Sequence, residues 1–434
     1  MRAIVSRSEI EGTLDAPPSK SFTHRAIVCG LLSSASVRIR NPLYCDDTES
    51  SIRLSEQMGA MIDRGVDLEV TGPDILTAPS SDMDCRGSGT TLRIFTALSA
   101  LANGRCVLTG DSTLLKRPIS EMLSALRQLG VLAKSLSGEG RPPVEVHGHG
   151  LSGGVVDIRG DVTSQYITGL LFACSRARGE TRINITTHLE SRPYVEMTLD
   201  VMNRFGVLAK PTDEWSHIDI SGDQQYKASE YEVPGDYSSA AFILAAGSLT
   251  GRAVVRGLRA ESKQGDAEII NYLKLMGASI ESTSDGFAAS RNELTSMTVD
   301  ASNTPDLVPI LAVLASQANG VTQIYNARRL RFKESDRLAT TSSELSKMGA
   351  SIIEVEDGLV IKGPTPLRGA VVNPHDDHRI AMACIVAGLI AEGTTVVENS
   401  ECVDKSYPSF IEHIRSLGAR VDLQSTKDAS GGRS

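Results

Sequence analysis

The stretch Ile269-Ile270-Asn271-Tyr272-Leu273-Lys274-Leu275-Met276-Gly277-Ala278-Ser279-Ile280-Glu281 carries the fold in miniature. Ile269, Leu273 and Met276 follow the i, i+4, i+7 spacing of one helical face. Gly277 stands where a helix commonly ends in a left-handed residue. Ser279-Ile280-Glu281 alternates as a half-buried strand does, and Asp285-Gly286 supplies a hairpin turn. The same mark returns at Met58-Gly59-Ala60, Leu129-Gly130-Val131, Phe205-Gly206-Val207, Met348-Gly349-Ala350 and Leu417-Gly418-Ala419. Successive copies lie roughly 70 residues apart, longer than the common solenoid repeats.

A second beat runs in phase with the first. A more apolar helix ends in Gly and passes into a strand at Asn103-Gly104, Arg178-Gly179, Thr250-Gly251, Asn319-Gly320 and Glu392-Gly393, with Ser34-Ala35 as a Gly-free copy. Ile167 to Ala173, Ala240 to Ala246, Leu307 to Ala315 and Ile380 to Ile390 are apolar on most faces, so these helices belong in a core. Each unit therefore reads strand, buried helix, strand, amphipathic helix, hairpin. The predicted fold class is α/β, with two similar domains. Each domain holds three strand-helix-strand-helix-strand-strand units around buried parallel helices, an inside-out α/β barrel. The polar stretch Gln224 to Tyr231 marks the boundary. Residues 16–230 form the N-terminal domain, residues 1–15 with 231–424 the C-terminal one, and 425–434 a small polar tail expected to be disordered.

Composition narrows the function. The 434 residues are 41% hydrophobic and 22% charged, as in ordinary globular proteins. Aromatics at 4% and a formal charge of −9 disfavour nucleic acid, which needs stacking platforms and a broad basic face. A small anion needs only a local cationic cluster. Seven scattered cysteines without a C-x-x-C pair point to a reducing compartment and buried thiols. The N-terminus shows no signal-peptide pattern, and the longest apolar stretch, Ile380 to Ala391, is too short to span a bilayer. A cytoplasmic protein without a membrane partner is expected. His147-x-His149 lacks a third ligand nearby and reads as a surface turn rather than a metal site.

The non-repeated residues gather just ahead of the buried helices. Those starts read Pro18-Ser19-Lys20-Ser21, Gly87-Ser88-Gly89-Thr90-Thr91, Thr163-Ser164-Gln165, Gly235-Asp236-Tyr237-Ser238-Ser239, Thr304-Pro305-Asp306 and His375-Asp376-Asp377-His378-Arg379. Ser, Thr, Asp and Gly are capping residues, and capping alone explains any one of these sites. Pseudo-symmetry, however, points three helix N-termini of each half the same way, which makes an anion site. Lys20, Arg25, Arg93 and Arg379 sit at or just inside these starts, where a cation is poorly placed unless something negative binds. Lys116-Arg117-Pro118, Ser191-Arg192-Pro193-Tyr194 and Lys405-Ser406-Tyr407-Pro408 each set a cation before a helix-opening proline. Arg328 to Arg337 is the densest charge run, which charge pattern alone reads equally as a solvated helix start.

Taken in order, Pro18-Ser19-Lys20-Ser21-x-x-x-Arg25, Gly87-Ser88-Gly89-Thr90-Thr91-Leu92-Arg93, Lys116-Arg117-Pro118, Ser164-Gln165, Lys333-Glu334-Ser335-Asp336-Arg337, Asp377-His378-Arg379 and Lys405-Ser406-Tyr407-Pro408 resemble the 5-enolpyruvylshikimate-3-phosphate synthase family from end to end. Each motif is weak alone; the ordered set, in phase with the repeat, is specific. The resemblance implies transfer of the enolpyruvyl group of phosphoenolpyruvate to the 5-hydroxyl of shikimate 3-phosphate, in aromatic amino-acid biosynthesis. It implies no metal or organic cofactor, two small anionic substrates as partners, and a monomer. Carried over, Lys20, Ser21, Arg25, Thr163, Ser164, Gln165, Ser191, Tyr194, Asp306 and Lys333 bind shikimate 3-phosphate. Lys20, Gly89, Arg117, Gln165, Arg337, Arg379 and Lys405 bind phosphoenolpyruvate. Lys20, Asp306, Glu334 and Lys405 are the catalytic candidates, with Asp306 at the 5-hydroxyl and Glu334 at the methylene carbon.

Two positions depart from the family pattern. Gly87, after Arg86, replaces the usual Asn before the small-Gly-Thr segment, and Arg329 occupies the place of an Asn that is set back to Asn326. The related transferase that acts on UDP-N-acetylglucosamine generally carries Lys-Asn near the start and a reactive loop Cys. Here Lys20-Ser21 stands at the start, Thr113 to Arg117 holds no Cys, and Cys106 falls in a predicted strand. A non-catalytic anion-binding scaffold would leave Asp306 and Glu334 without purpose. Mutual repulsion of facing helix N-termini predicts an open ligand-free state that the first anion closes. Gly89, lacking a side chain, predicts sensitivity to glyphosate-like inhibitors.

Overall fold

The computed structural model describes residues 1–425, so the tail expected to be disordered lies, apart from Ser425, outside the described residues. Secondary structure follows the repeat. The Gly after each amphipathic helix has a positive φ, from 78° at Gly206 to 105° at Gly59, which is the left-handed residue that stops the helix. The strands then fold into six four-stranded mixed sheets among the described residues. Each sheet repeats one plan. Met83–Asp84 pairs parallel with Gly104–Thr109, which pairs antiparallel with Val144–Gly148, which pairs antiparallel with Leu132–Ser135. A parallel step requires a crossover, and the buried helix Gly89–Leu98 makes it.

The chain divides into two compact units, Pro18–Pro234 and Met1–Pro17 with the chain from Gly235 onward. Each unit draws a distant strand into its sheets. In the first, Glu230–Glu232 pairs parallel with Val37–Arg40 and completes the sheet of the first repeat. In the second, Arg2–Ser6 lies between Thr394–Glu398 and Arg420–Gln424, antiparallel to both. Glu11–Asp15 pairs parallel with Arg252–Arg256.

Each unit has its own core. Every residue of the helix Tyr237–Thr250 is buried, and it packs with Val308–Gln317 and His378–Ile390. Phe242 meets Phe410 edge-on at 6.4 Å. In the other unit, Gly89–Leu98 and Ser164–Cys174 pack so closely that a Cβ on Gly169 would lie 2.9 Å from the Arg93 carbonyl oxygen. All seven cysteines are free and buried, and burial pushes thiols such as Cys174 and Cys384 up to about 12. His147 lies near the end of the strand Val144–Gly148 and meets Glu145 at 3.0 Å. Among the described residues, no helix is long and apolar enough to cross a membrane.

Candidate active site

In the unit Pro18–Pro234, Lys20 opens the helix Lys20–Leu31, and its Nζ lies 2.8 Å from Asp47 Oδ2. Asp47 sits in the first turn of Asp46–Gln57, and its carbonyl accepts from Thr91 Oγ1 at 3.3 Å. Asp47 was not expected in the site; its only local sign is the acidic pair opening a helix. Arg25 is buried one turn beyond Lys20. Its Nε donates to Thr198 Oγ1 at 2.9 Å, and its two terminal nitrogens donate to the carbonyls of Ser21 (2.7 Å) and Tyr194 (2.8 Å). Burial lowers the guanidinium to about 10, which leaves it charged at neutral pH. Ser191 starts the helix Arg192–Arg204 in the left-handed region, at φ 55°, with Pro193 in the first turn.

Gly89 opens the next buried helix, capped by Ser88 Oγ, which accepts from Thr91 N. A Cβ on Gly89 would lie 2.7 Å from an Arg117 guanidinium nitrogen and 3.0 Å from one of Arg93. Glycine at this point therefore lets two cations approach the backbone of a helix start. Arg93 donates to Gln165 Oε1, and Gln165 Nε2 donates to Thr90 Oγ1 at 2.8 Å. Thr163 caps the helix Ser164–Cys174 by accepting from Gln165 N. Thr168 and Thr198 meet at 2.9 Å and tie this helix to Arg25. Hydrogen bonds thus link Arg25 with Ser21 and Tyr194, and Arg93 with Gln165, Thr90 and Thr163, while Lys20 pairs with Asp47.

The other unit builds its cluster on Arg337, whose side chain is 1% exposed. Nε donates to Asp377 Oδ2 at 2.9 Å, while the terminal nitrogens reach Asp306 Oδ1 at 2.8 Å and Glu334 Oε2 at 2.7 Å. Burial opposes the charge, yet these three carboxylates outweigh it and raise Arg337 above its ordinary range. Asp306 also faces Lys333 at 3.6 Å and Arg379 at 3.7 Å. Burial alone would push its carboxyl up; Lys333, Arg379 and Arg337 overcome that and hold it well below the usual range. Burial lowers Lys333, with Asp306 resisting. Asp377 caps the helix His378–Ile390 by accepting from Arg379 N. Lys405 Nζ donates to the Asp376 carbonyl at 3.0 Å, beside that cap.

The charge run divides into an outer and an inner part. Arg331 pairs with Asp336 at 3.0 Å and with Glu354, and Phe332 is exposed, as a solvated segment would be. Lys333, Glu334 and Arg337 turn inward to Asp306. Of the two departures from the family pattern, Gly87 lies in a turn and Arg329 in the 3-10 helix Arg328–Phe332. Arg329 donates to the Ala301 and Ser302 carbonyls, and Asn326 Nδ2 donates to Asp300 Oδ2 at 3.1 Å. Both side chains tie down the segment leading to Asp306. Arg86, before Gly87, adopts a positive φ of 48°.

Known proteins share this chain's sequence and fold. The family model for EPSP synthase (3-phosphoshikimate 1-carboxyvinyltransferase) matches residues 4–414. A 3-phosphoshikimate 1-carboxyvinyltransferase of Halobacterium salinarum is 44% identical over 432 residues, covering 97% of this chain and 100% of the relative. One of Methanocaldococcus jannaschii is 42% identical over 427 residues, covering 97% and 99%. A solved EPSP synthase of Acinetobacter baumannii superposes with a TM-score of 0.82 at 26% identity, covering 98% of this chain and 100% of that one. With the ordered cation clusters and a match over nearly its whole length, the chain belongs to the EPSP synthase (3-phosphoshikimate 1-carboxyvinyltransferase) family.

Proposed function

We propose that this protein transfers the enolpyruvyl group of phosphoenolpyruvate to the 5-hydroxyl of shikimate 3-phosphate and releases phosphate. The observation that carries this reading is Asp306, a carboxylate kept ionised inside a cluster of Lys333, Arg337 and Arg379. A carboxylate so held stays ionised to accept the 5-hydroxyl's hydrogen bond and orient it, taking the proton only as the oxygen turns acidic on bonding to carbon, while the cations around it receive an anionic co-substrate. The acidic chain with local cationic clusters suits two small anions.

Residue roles follow from family membership and the clusters. Lys20, Ser21, Arg25, Thr163, Ser164, Gln165, Ser191 and Tyr194 hold shikimate 3-phosphate, with Lys333 and Asp306 at its 5-hydroxyl. Gly89, Arg117, Gln165, Arg337, Arg379, Lys405 and Lys20 hold phosphoenolpyruvate. In the addition step the 5-oxygen bonds to C2 of phosphoenolpyruvate, its proton passes to Asp306, and Glu334 protonates the methylene carbon. In the elimination step the resulting methyl returns a proton to the Glu334 carboxylate, and phosphate leaves with the proton that Asp306 had accepted. Lys20 or Lys405 shares with Glu334 the delivery of the first proton to the methylene carbon. Each unit is proposed to be an inside-out α/β barrel around parallel buried helices, and the enzyme a cytoplasmic monomer.

Phosphate release from phosphoenolpyruvate tests the reading. It should require shikimate 3-phosphate and should not occur with UDP-N-acetylglucosamine. Release with the nucleotide sugar would favour the related transferase, and release with neither acceptor would leave an anion-binding scaffold.

A further inference from the structure

Behind Asp306 lies a carboxyl group that the mechanism above does not use. Asp266 is 1% exposed and sits in the turn Gly265–Glu268. Its Oδ2 accepts from Ser238 Oγ at 2.5 Å, while Oδ1 is buried without a hydrogen-bond partner among the described residues. The preceding Gln264 grips the same helix start. Its Oε1 accepts from Tyr237 N at 3.0 Å and its Nε2 donates to the Gly235 carbonyl at 2.8 Å. The segment Gln264 to Asp266 is therefore a clasp on the first turn of a buried helix.

The clasp leads to the site through one residue. The Ser238 carbonyl accepts from an Arg379 terminal nitrogen at 2.8 Å, and the other terminal nitrogen lies 3.7 Å from Asp306 Oδ2. Arg379 Nε is buried with no hydrogen-bond partner among the described residues. The groups that act on Asp266 come from every neighbouring element: Ser238 and Asp236, Arg379, Asp306, and Tyr272 of Ile269–Leu275. Burial first, and then the negative charge of Asp306, push the Asp266 carboxyl up to about 7. Two carboxyls near one guanidinium thus settle in opposite protonation states, one ionised and one poised to change near neutrality.

We propose that Asp266 is a positioning residue for Arg379: through Ser238 it fixes the guanidinium beside Asp306, and its proton sets how strongly Arg379 holds an anionic substrate. With the proton in place, Arg379 faces one negative neighbour and its charge is available to the ligand. Loss of the proton adds a second buried negative charge close by, and the ligand's hold weakens. The inference rests on the enolpyruvyl-transfer reading, since the anion is taken to be phosphoenolpyruvate.

Asp266→Asn keeps the shape and removes the titration. For the wild type, KM for phosphoenolpyruvate should rise between pH 6 and 8 by at least about five-fold, the low end of ordinary coupling between sites. In Asp266→Asn that rise should shrink to the part caused by the substrate's own phosphate, with the change confined to KM rather than kcat. Infrared difference spectra of wild type against variant should show a protonated carboxyl band at pH 6 that fades by pH 8. A variant with the wild-type pH dependence, or a wild type without the carboxyl band, overturns the role of Asp266 alone. Wild-type protein that releases no phosphate with both substrates overturns the enolpyruvyl-transfer reading and the role built on it.

Discussion

At the scale of the residue, the cations of this protein owe their positions to what is missing or buried beside them. Gly89 is the sharpest case, because a methyl group there would stand 2.7 Å from Arg117 and 3.0 Å from Arg93. Gly89→Ala should displace the Arg117 guanidinium. KM for phosphoenolpyruvate should then rise by about ten-fold, one misplaced charge-assisted contact of about 1.4 kcal/mol, and inhibition by glyphosate should weaken. Steady-state kinetics with and without glyphosate check both; an unchanged KM would remove Arg117 from the substrate's contacts. His24 offers a test in the pH dimension. It is fully buried, meets Ser51 Oγ at 2.8 Å, and is lowered to about 3, first by burial. A histidine kept neutral in the folded state binds its proton only on unfolding, so its contribution is intact above pH 6.5 and is lost as pH falls toward 3. Between pH 7 and 5 the wild type should lose stability at up to about 1.4 kcal/mol per pH unit from this group. His24→Gln should flatten that part of a urea-midpoint profile.

At the scale of the element, the repeat was legible because its signals are local. A period-3.6 stripe, a left-handed Gly and an Asp-Gly turn each lie within a few residues, and tertiary context did not override them. Gly206 isolates one such signal, since its φ is 78° and an added Cβ would meet nothing within 4 Å. Gly206→Ala should therefore cost about 1 kcal/mol from backbone conformation alone, and Gly206→Asn less. Chemical denaturation of the three proteins decides it, and equal midpoints would mean the helix end relaxes freely. What the sequence hid was non-local. Glu230–Glu232 and Met83–Asp84 are too short to show a period, and they become strands only because a distant neighbour offers an open edge. The capping reading of the helix starts holds at four of them. Ser88, Thr163, Asp236 and Asp377 each cap with their side chains, and Asp377 also holds Arg337. Asp47, Asp266, Asp306 and Asp377 matter through partners 27, 28, 31 and 40 residues away, pairings that spacing along a chain does not encode.

At the scale of the whole molecule, the two units differ in how the chain closes them, and that difference predicts how they fold. Pro18–Pro234 is continuous and supplies its own last edge strand, Glu230–Glu232. The other unit is completed by the first residues of the chain, and Arg2–Ser6 is an inner strand of its sheet rather than an edge. Ala3, Val5 and Ile10 are fully buried in that core, and Val5 packs against the helix His378–Ile390 at Gly388. Removing an inner strand breaks two ladders at once and uncovers apolar side chains on the helix beneath. Residues 18–234 expressed alone should therefore unfold in urea as one cooperative transition. Residues 235–434 alone should lack one, and addition of a peptide of residues 1–17 should restore it, with a midpoint that rises with peptide concentration because the peptide binds only the folded form. Circular dichroism of the fragment with and without peptide gives the result directly. A cooperative transition in residues 235–434 without the peptide would show that the inner strand is dispensable, and that the unit's stability resides in its three buried helices.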